Sequence, residues 1–362
     1  MRAAPLQLAG VLVRGVAAAH VLRNVLRAAR RVPPITTTDR PVPTISVVVP
    51  ARDEATRIGP LLAAVRDAPG VHEVLVVDDE SRDATAAVAD AAGARVVTGR
   101  PPPPGWAGKA WALQQGLDEA TGEWIVFLDA DARPAPELPA ALVARAEADG
   151  LEVACASGCF ELPSAGARWL HPALLTTLVY RFPPPGARDQ GPVGRRLGNG
   201  QCLAVRAVTL RAAGGFRPVA HHTVEDVALV RMLATAGFAV ASLDAGRLLT
   251  VRAYESAGDA WRNWGRSLAL PGVDGPARRL GALVVLATAQ AAPLVRLVAR
   301  RADLLDVALL AVRGGTLVGT ARAYRPRGLA YWLSPLADPV AVAALVRSTL
   351  TRPRPWRGRP AP

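Results

Sequence analysis

Between Thr44 and Leu128, short apolar runs alternate with amphipathic stretches, which predicts an α/β domain on a doubly wound, mostly parallel sheet. Ile45–Val49 is a continuous apolar run closed by Pro50, the pattern of a parallel strand buried on both faces. A helix is expected around Arg57–Arg66, a strand at Val74–Val77 and a helix over Asp83–Ala92. A short strand at Arg95–Val97, a proline-rich loop at Pro101–Gly105, a helix over Lys109–Glu119 and a strand at Trp124–Leu128 continue the series. Acidic residues end two of the strands, Asp78-Asp79 and Asp129-Ala130-Asp131, where an open α/β sheet puts its binding crevice. Past Gly150 the alternation loosens. Val153–Ser157 reads as a strand, Ala167–Tyr180 as an amphipathic or interfacial helix and Pro183–Arg196 as a loop. A helix at Val224–Ala236 and strands near Val240–Leu243 and Leu248–Arg252 follow.

Both ends of the chain are apolar in a different way. Leu6–Leu26, interrupted by Arg14, His20 and Arg23, reads as a membrane or interfacial helix, and it lacks the cleavage site of a signal peptide. Val32–Pro43, rich in Pro and Thr, is a linker. Leu280–Val298, Leu304–Ala321 and Leu329–Leu350 each have about the length needed to cross a bilayer, although Arg296, Arg313 and Asp338 interrupt them. They lack the polar face of an amphipathic soluble helix, which favours membrane segments over a soluble helical subdomain. The expected organisation is therefore an N-terminal membrane helix (1–31), a linker (32–43), an α/β domain (44–270), C-terminal membrane helices (280–350) and a basic, proline-rich tail (351–362).

Composition supports this division. Hydrophobic residues make up 51% of the chain and aromatics only 5%, so the apolar content is mostly Ala, Val and Leu. The net charge of +13 comes almost wholly from arginine, Lys109 being the only lysine. Arg278-Arg279, Arg300-Arg301, Arg325 and Arg327 adjoin apolar segments, as residues at an anionic membrane surface do. No zinc-finger spacing and no basic run with interleaved aromatics points to nucleic acid. Basic residues flank both ends of several segments, so charge bias does not orient them. Cys155, Cys159 and Cys202 form no disulfide framework and read as small buried hydrophobes.

The chemistry is concentrated in acidic residues. Asp129 and Asp131, one residue apart on a turn, can converge on a divalent cation, and hard oxygen ligands suit Mg2+ or Mn2+ bridging a diphosphate. Such an ion neutralises the charge that develops on a leaving diphosphate. Asp78 and Asp79 can accept from a base N–H or ribose hydroxyls, or Asp79 and Ser81 can cap the next helix. Arg52-Asp53-Glu54 follow Pro50 and are open to the same two readings. Lys109, beside Gly108 at a helix start, can meet phosphate, without the glycine spacing of a P-loop. Glu225-Asp226 open a helix, as a general base for an acceptor hydroxyl or as acids complementing the helix dipole. The preceding His221-His222 reads as a solvated loop.

With these motifs in place, the chain resembles the family 2 glycosyltransferases, which have a GT-A fold. The resemblance rests on Ser46-Val-Val-Val-Pro-Ala-Arg-Asp-Glu54, Val76-Val-Asp-Asp-Glu-Ser-Arg-Asp-Ala-Thr85, Phe127-Leu-Asp-Ala-Asp131 and Glu225-Asp226, and covers about Thr44–Leu270. Pro104-Gly-Trp-Ala-Gly-Lys-Ala-Trp-Ala-Leu113 and Trp356-Arg-Gly-Arg359 are similar to a membrane-bound branch with hopanoid-associated and carotenoid-acid (4,4'-diaponeurosporenoate) glycosyltransferases. The resemblance implies that Pro50, Arg52, Asp53, Glu54, Asp78 and Asp79 surround the nucleoside, most often uridine. It implies that Lys109 lies near the diphosphate, and that Asp129, Ala130 and Asp131 hold ribose and metal, Asp131 most directly. Asp226, with Glu225, would supply the base for a single inverting displacement. Asn199, Gly200, Gln201, Trp261 and Arg262 would lie on the acceptor side.

The Gln-x-x-Arg-Trp of the family's processive polysaccharide synthases is missing, the nearest stretch being Trp261-Arg-Asn-Trp-Gly-Arg266. The expected activity is therefore transfer of one sugar from a nucleotide-sugar, a UDP-sugar by preference, to a lipidic acceptor such as a terpenoid or carotenoid acid or a hopanoid. It would take place at the cell membrane, with the catalytic domain on the cytoplasmic side of a multi-pass anchor. The rivals are a polyprenyl-phosphate sugar synthase, which needs no strong base at Asp226, and a non-catalytic membrane scaffold.

Overall fold

The structure, a computed structural model, describes residues 3–252, 254–265 and 267–351. The basic tail, with Trp356-Arg-Gly-Arg359, lies outside the described residues. In chain order the first elements are α1 (Ala3–Ala29), β1 (Ile45–Ala51), α2 (Ile58–Val65), β2 (Val71–Asp78), α3 (Thr85–Ala91), β3 (Arg95–Thr98) and α4 (Gly108–Glu119). Next come β4 (Trp124–Leu128), β5 (Ala132–Pro134), α5 (Leu138–Ala148), β6 (Val153–Ser157), β7 (Cys159–Glu161) and α6 (Ala165–Val179). Then follow β8 (Cys202–Arg206), α7 (Ala207–Ala212), α8 (Glu225–Thr235), β9 (Val240–Asp244), β10 (Leu249–Val251) and α9 (Ala257–Asn263). The last are α10 (Pro276–Leu286), α11 (Ala292–Val298), α12 (Leu304–Thr320), α13 (Gly328–Trp332) and α14 (Asp338–Leu350). They form two compact units. One draws on Val32–Phe160 and Gln190–Arg252, the other on the chain before Val32, Glu161–Asp189 and the chain after Arg252.

The α/β unit is organised by a seven-stranded sheet in the order β3-β2-β1-β4-β8-β6-β9. All seven residues of β1 are buried. It is flanked by parallel partners on both sides, β2 and β4. β-Branched residues at Ile45 and Val47–Val49 suit such a doubly covered strand. Only β8 runs against its neighbours β4 and β6. The strand order reverses direction between β1 and β4, and the carboxyl ends of these two strands flank the switch point where open sheets bind ligands. Helix α4 crosses closely there: a Cβ on Gly116 would stand 2.3 Å from Val48 Cγ1. A smaller sheet forms where β10 pairs antiparallel with β5 and parallel with β7. The GT-A-like α/β architecture predicted from the sequence is present.

The other unit is helical, and Ala17, Val21, Leu170, Leu174, Leu286, Leu309, Ala341 and Leu345 contribute to its core. Among the described residues, Ala9–Ala29, Pro276–Val298 and Leu304–Ala323 are helices long and apolar enough to cross a membrane. A π-helical stretch, Ala287–Ala291, joins α10 to α11. It precedes Pro293, whose missing N–H removes one helical bond. Arg14, Arg296, Arg313 and Asp338, which interrupt the apolar runs, are paired. Arg14 binds Asp303 and Asp306 at 2.7 Å each, and Arg296 Nε binds Asp306 at 2.7 Å. Arg313 Nε meets Asp338 Oδ2 at 2.8 Å, and Gln290 donates to the other carboxylate oxygen at 2.9 Å. One expectation is corrected: Leu329–Leu350 is not one continuous helix. It breaks into α13, a 3-10 turn at Ser334–Ala337 and α14. Pro335 and Pro339 cannot donate helical hydrogen bonds. Arg313 instead holds Ser334 and Asp338 at the break.

Candidate active site

The ends of β1 and β2 are knitted together by short hydrogen bonds. Asp53, held at a positive φ of 54°, donates its N–H to Ser81 Oγ at 3.0 Å and accepts from the Arg82 N–H at 2.8 Å. The Glu54 N–H donates to Thr85 Oγ1 at 2.8 Å, and the Ala55 N–H donates to Asp83 Oδ2 at 3.1 Å. Glu54 is itself buried, and its carbonyl accepts from Arg57 and Ile58 at the entry to α2. Pro50 lies within β1 opposite Val77. Arg52 and Asp79 are both buried and form an internal ion pair at 3.5 Å, with Arg52 also donating to the Asp79 carbonyl. Asp78 sits differently. It is half-buried, and its Oδ1 has no hydrogen-bond partner.

A second cluster gathers where β4, α4 and α8 approach one another. Lys109 is the second residue of α4, where the helix dipole disfavours a cation. Asp129 Oδ1 at 2.7 Å and Glu225 Oε1 at 3.1 Å compensate it. Burial pulls the Lys109 ammonium down, but Asp129, Glu225 and Asp226 outweigh it and leave the group well above its ordinary value. Burial pushes the Glu225 carboxyl up, against the pull of Lys109. Glu225 and Asp226 occupy the first turn of α8, where the dipole favours acids. Leu113, Phe127, Leu203 and Phe216 wall the recess that Lys109, Glu225 and Asp226 share. Phe127 and Phe216 meet edge to face at 5.3 Å. An apolar wall of this kind strengthens each charge interaction beside it.

The loop before β8 joins the two carboxylate-bearing elements. Asp226 Oδ2 accepts from the Gly200 N–H at 2.8 Å, and the Asp129 N–H donates to the Gln201 carbonyl at 3.3 Å. Asn199 anchors the loop to β6 through the Ala156 carbonyl at 2.9 Å and Ser157 Oγ at 3.1 Å. Gly198 permits the approach, since a Cβ there would lie 2.2 Å from the Asp226 carbonyl oxygen. The sequence assigns Asn199, Gly200 and Gln201 to the acceptor side and gives no site role to Gly198, Leu113, Phe127, Leu203 or Phe216. The Gly-Asn-Gly spacing was the available sign of a close backbone approach.

Asp131 follows the buried Ala130 on the turn after β4, where the Ala132 N–H donates to the Asp129 carbonyl at 2.9 Å. Among the described residues, no three His, Cys, Asp or Glu side chains group to hold a metal. Two turn carboxylates nevertheless fit Mg2+ or Mn2+, which are usually held by one or two carboxylates with the rest of the shell left to substrate phosphates and water. Trp261 and Arg262 belong to α9 of the helical unit, where the Trp261 ring packs under the Arg347 guanidinium at 4.8 Å.

Residues 46–193, which carry β1, β2, β4 and the acidic turns between them, match glycosyl transferase family 2. These residues carry a glycosyl transferase family 2 domain. The chain is similar to the 4,4'-diaponeurosporenoate glycosyltransferase of Staphylococcus aureus (strain MRSA252), 40% identical over 88 residues. That match spans 24% of this chain and 24% of the relative, so only about a quarter of the relative's length is compared. Among solved structures, a mannosyltransferase from Pyrobaculum calidifontis, in complex with GDP-Man and Mn2+, aligns over 94% of this chain and 97% of its own. Its TM-score is 0.57 at 20% identity, a likeness of fold.

Proposed function

We propose that this chain moves a single sugar from a nucleotide-sugar to a lipidic acceptor, with inversion at the sugar carbon. The observation that carries the reading is Lys109, which lines one recess with Glu225 and Asp226 and is also paired with Asp129, in a chain whose residues 46–193 match family 2. Asp78, with an oxygen open to a new donor, and the loop of Asp53 and Glu54 would hold the nucleoside. Asp129 and Asp131 would hold Mg2+ or Mn2+, which when bound neutralises charge on the diphosphate. Asp226 would take the proton of the acceptor hydroxyl as its oxygen bonds to the anomeric carbon. The nucleoside diphosphate leaves with the electrons of the broken C–O bond. Asn199, Gly200 and Gln201 would hold Asp226 in place beneath the acceptor.

A lipidic acceptor is supported by the three long apolar helices and by the partial similarity to a carotenoid-acid glycosyltransferase. Membrane attachment with the catalytic unit in the cytoplasm is part of the same reading. Uridine is the preferred base from the sequence motifs, and guanosine is the competitor to include. The test is incubation of membranes carrying the protein with labelled UDP- and GDP-sugars and lipid extract, with and without Mn2+ or Mg2+. Labelled lipid that requires the metal and disappears in Asp131→Asn and Asp226→Asn is expected. No labelled lipid across a broad donor panel, or full activity in both variants, refutes the reading.

A further inference from the structure

Lys109 is the only lysine in a chain whose other basic side chains are arginine. It is placed as a compact charge between two carboxylates rather than as a surface residue, with 17% of its side chain exposed. Its ammonium lies 2.7 Å from Asp129 Oδ1, one of the two carboxylates assigned to the metal, and 3.1 Å from Glu225 Oε1. A divalent cation approaching Asp129 therefore meets an oxygen already paired with a full positive charge. We propose that Lys109 is a stand-in cation that blocks Asp129 in the unliganded chain and makes metal binding conditional on a nucleoside diphosphate.

This deepens the donor-site reading and rests on it. A diphosphate brings enough negative charge to accommodate both cations, so Lys109 can turn from Asp129 toward phosphate oxygens while remaining on Glu225. A lysine suits this exchange better than an arginine. Its ammonium is a point charge on a flexible stem, whereas a guanidinium locks onto carboxylate as a planar fork. Gly200 leaves the ammonium room to turn, since only an added Cβ there would stand 3.1 Å from Lys109 Nζ. Lys109 is accordingly a positioning residue, acting on the metal through Asp129.

The test is Mn2+ binding to the purified full chain in detergent, read by electron paramagnetic resonance of the free ion, without nucleotide and with UDP or GDP. Lys109→Gln adds uncompensated charge to a buried cluster, so the double variant Lys109→Gln/Glu225→Gln is measured beside it. The double variant keeps the wild-type net charge but leaves Asp129 uncovered. Wild type is expected to bind Mn2+ alone weakly and to gain strongly with nucleotide. The double variant should bind Mn2+ alone at least about tenfold more tightly than wild type, and Lys109→Arg should not. Double-variant affinity equal to wild type, while wild type still gains Mn2+ with nucleotide, overturns the stand-in role and leaves the donor site intact. No Mn2+ binding by any of these proteins, with or without UDP or GDP, removes the donor-site reading and the stand-in role with it.

Discussion

The loop that holds Asp226 offers a matched pair of substitutions. Gly198→Ala and Gly200→Ala add the same methyl group two residues apart, at positions where φ is not left-handed. Either change should therefore gain about 0.4–1 kcal/mol by restricting the unfolded chain. The contacts then separate them. At Gly198 the new Cβ meets backbone: the Asp226 carbonyl oxygen at 2.2 Å, its carbon at 2.4 Å and the Val227 nitrogen at 2.8 Å. Ordinary contact begins at 3.4 Å, so the loop must retreat by about 1.2 Å from the start of α8. At Gly200 the nearest atom is the mobile end of Lys109 at 3.1 Å, and a few tenths of an ångström suffice.

Retreat of the Gly198 loop breaks the 2.8 Å bond from the Gly200 N–H to Asp226 and loosens the Gln201 contact with Asp129. A misplacement of about 1 Å at reacting groups can lower a rate about 10²-fold. Overpacking costs roughly 1–3 kcal/mol, more than the entropic gain. Gly198→Ala should thus lose about two orders of magnitude in kcat with a modest fall in melting temperature. Gly200→Ala should stay within a few-fold of wild type and melt at the same temperature. The assay is initial-rate sugar transfer at saturating donor, with thermal unfolding of the same preparations. Equal losses in the two variants, or a greater loss in Gly200→Ala, would refute the placement of this loop over Asp226.

Three further outcomes can be checked. Burial pushes the Glu73 carboxyl up, but hydrogen bonds from Ser46 and Thr121, with Arg95 nearby, outweigh it and hold the group below its ordinary value. Its stabilisation is then present above the unfolded value of about 4.3 and lost as pH falls through the lower folded one, so the melting gap between wild type and Glu73→Gln should close on acidification from pH 6 to 3. Cys155, Cys159 and Cys202 are buried, and burial pushes the Cys155 thiol up to about 12, so Ellman's reagent at pH 8 should label none in the native protein and all three in denaturant. Arg313→Met leaves Asp338 buried without its partner and should cost about 3–5 kcal/mol, whereas Arg313→Met/Asp338→Leu should recover most of that in detergent unfolding curves.

The sheet was legible because β1, β2 and β4 lie inside the sheet with strands on both sides and leave unbroken apolar runs ending at Pro50, Asp78 and Asp129. Short strands leave no such trace. β5 and β7 have three residues each, and β8 has five and follows a glycine-containing loop. The break at Ser334–Ala337 was hidden because Leu and Ala on both sides keep the run apolar, while the prolines and Arg313 decide the geometry. The candidate site was legible as a set of residue types and illegible as a set of contacts. Asp78 and Asp79 are adjacent and chemically identical, yet Asp79 is paired with Arg52 while Asp78 Oδ1 is left without a hydrogen-bond partner. Nothing in the spacing of Lys109, Asp129 and Glu225 foretells one ion-paired cluster, because the sheet order brings them together, not the chain.

The ion pairs of the helical unit and the recess at Lys109 balance charge differently, and the difference bears on function. In the helical unit Arg313 is matched with Asp338, and Arg14 and Arg296 with Asp303 and Asp306. Such closure is what an apolar surrounding demands, since an unpaired buried ion costs several kcal/mol. In the α/β unit one ammonium, Lys109, faces three carboxyl groups, Asp129, Glu225 and Asp226, with Asp131 next on the turn. Structural economy would have placed a second cation here, and an arginine-rich chain has many to offer. The deficit instead leaves the site short of positive charge, tolerable while Lys109 is shared and relieved when a divalent ion enters. On this argument the excess of acid around Lys109 is the means by which a metal is attracted. Sharing one lysine among several acids then keeps that attraction in check until a diphosphate arrives.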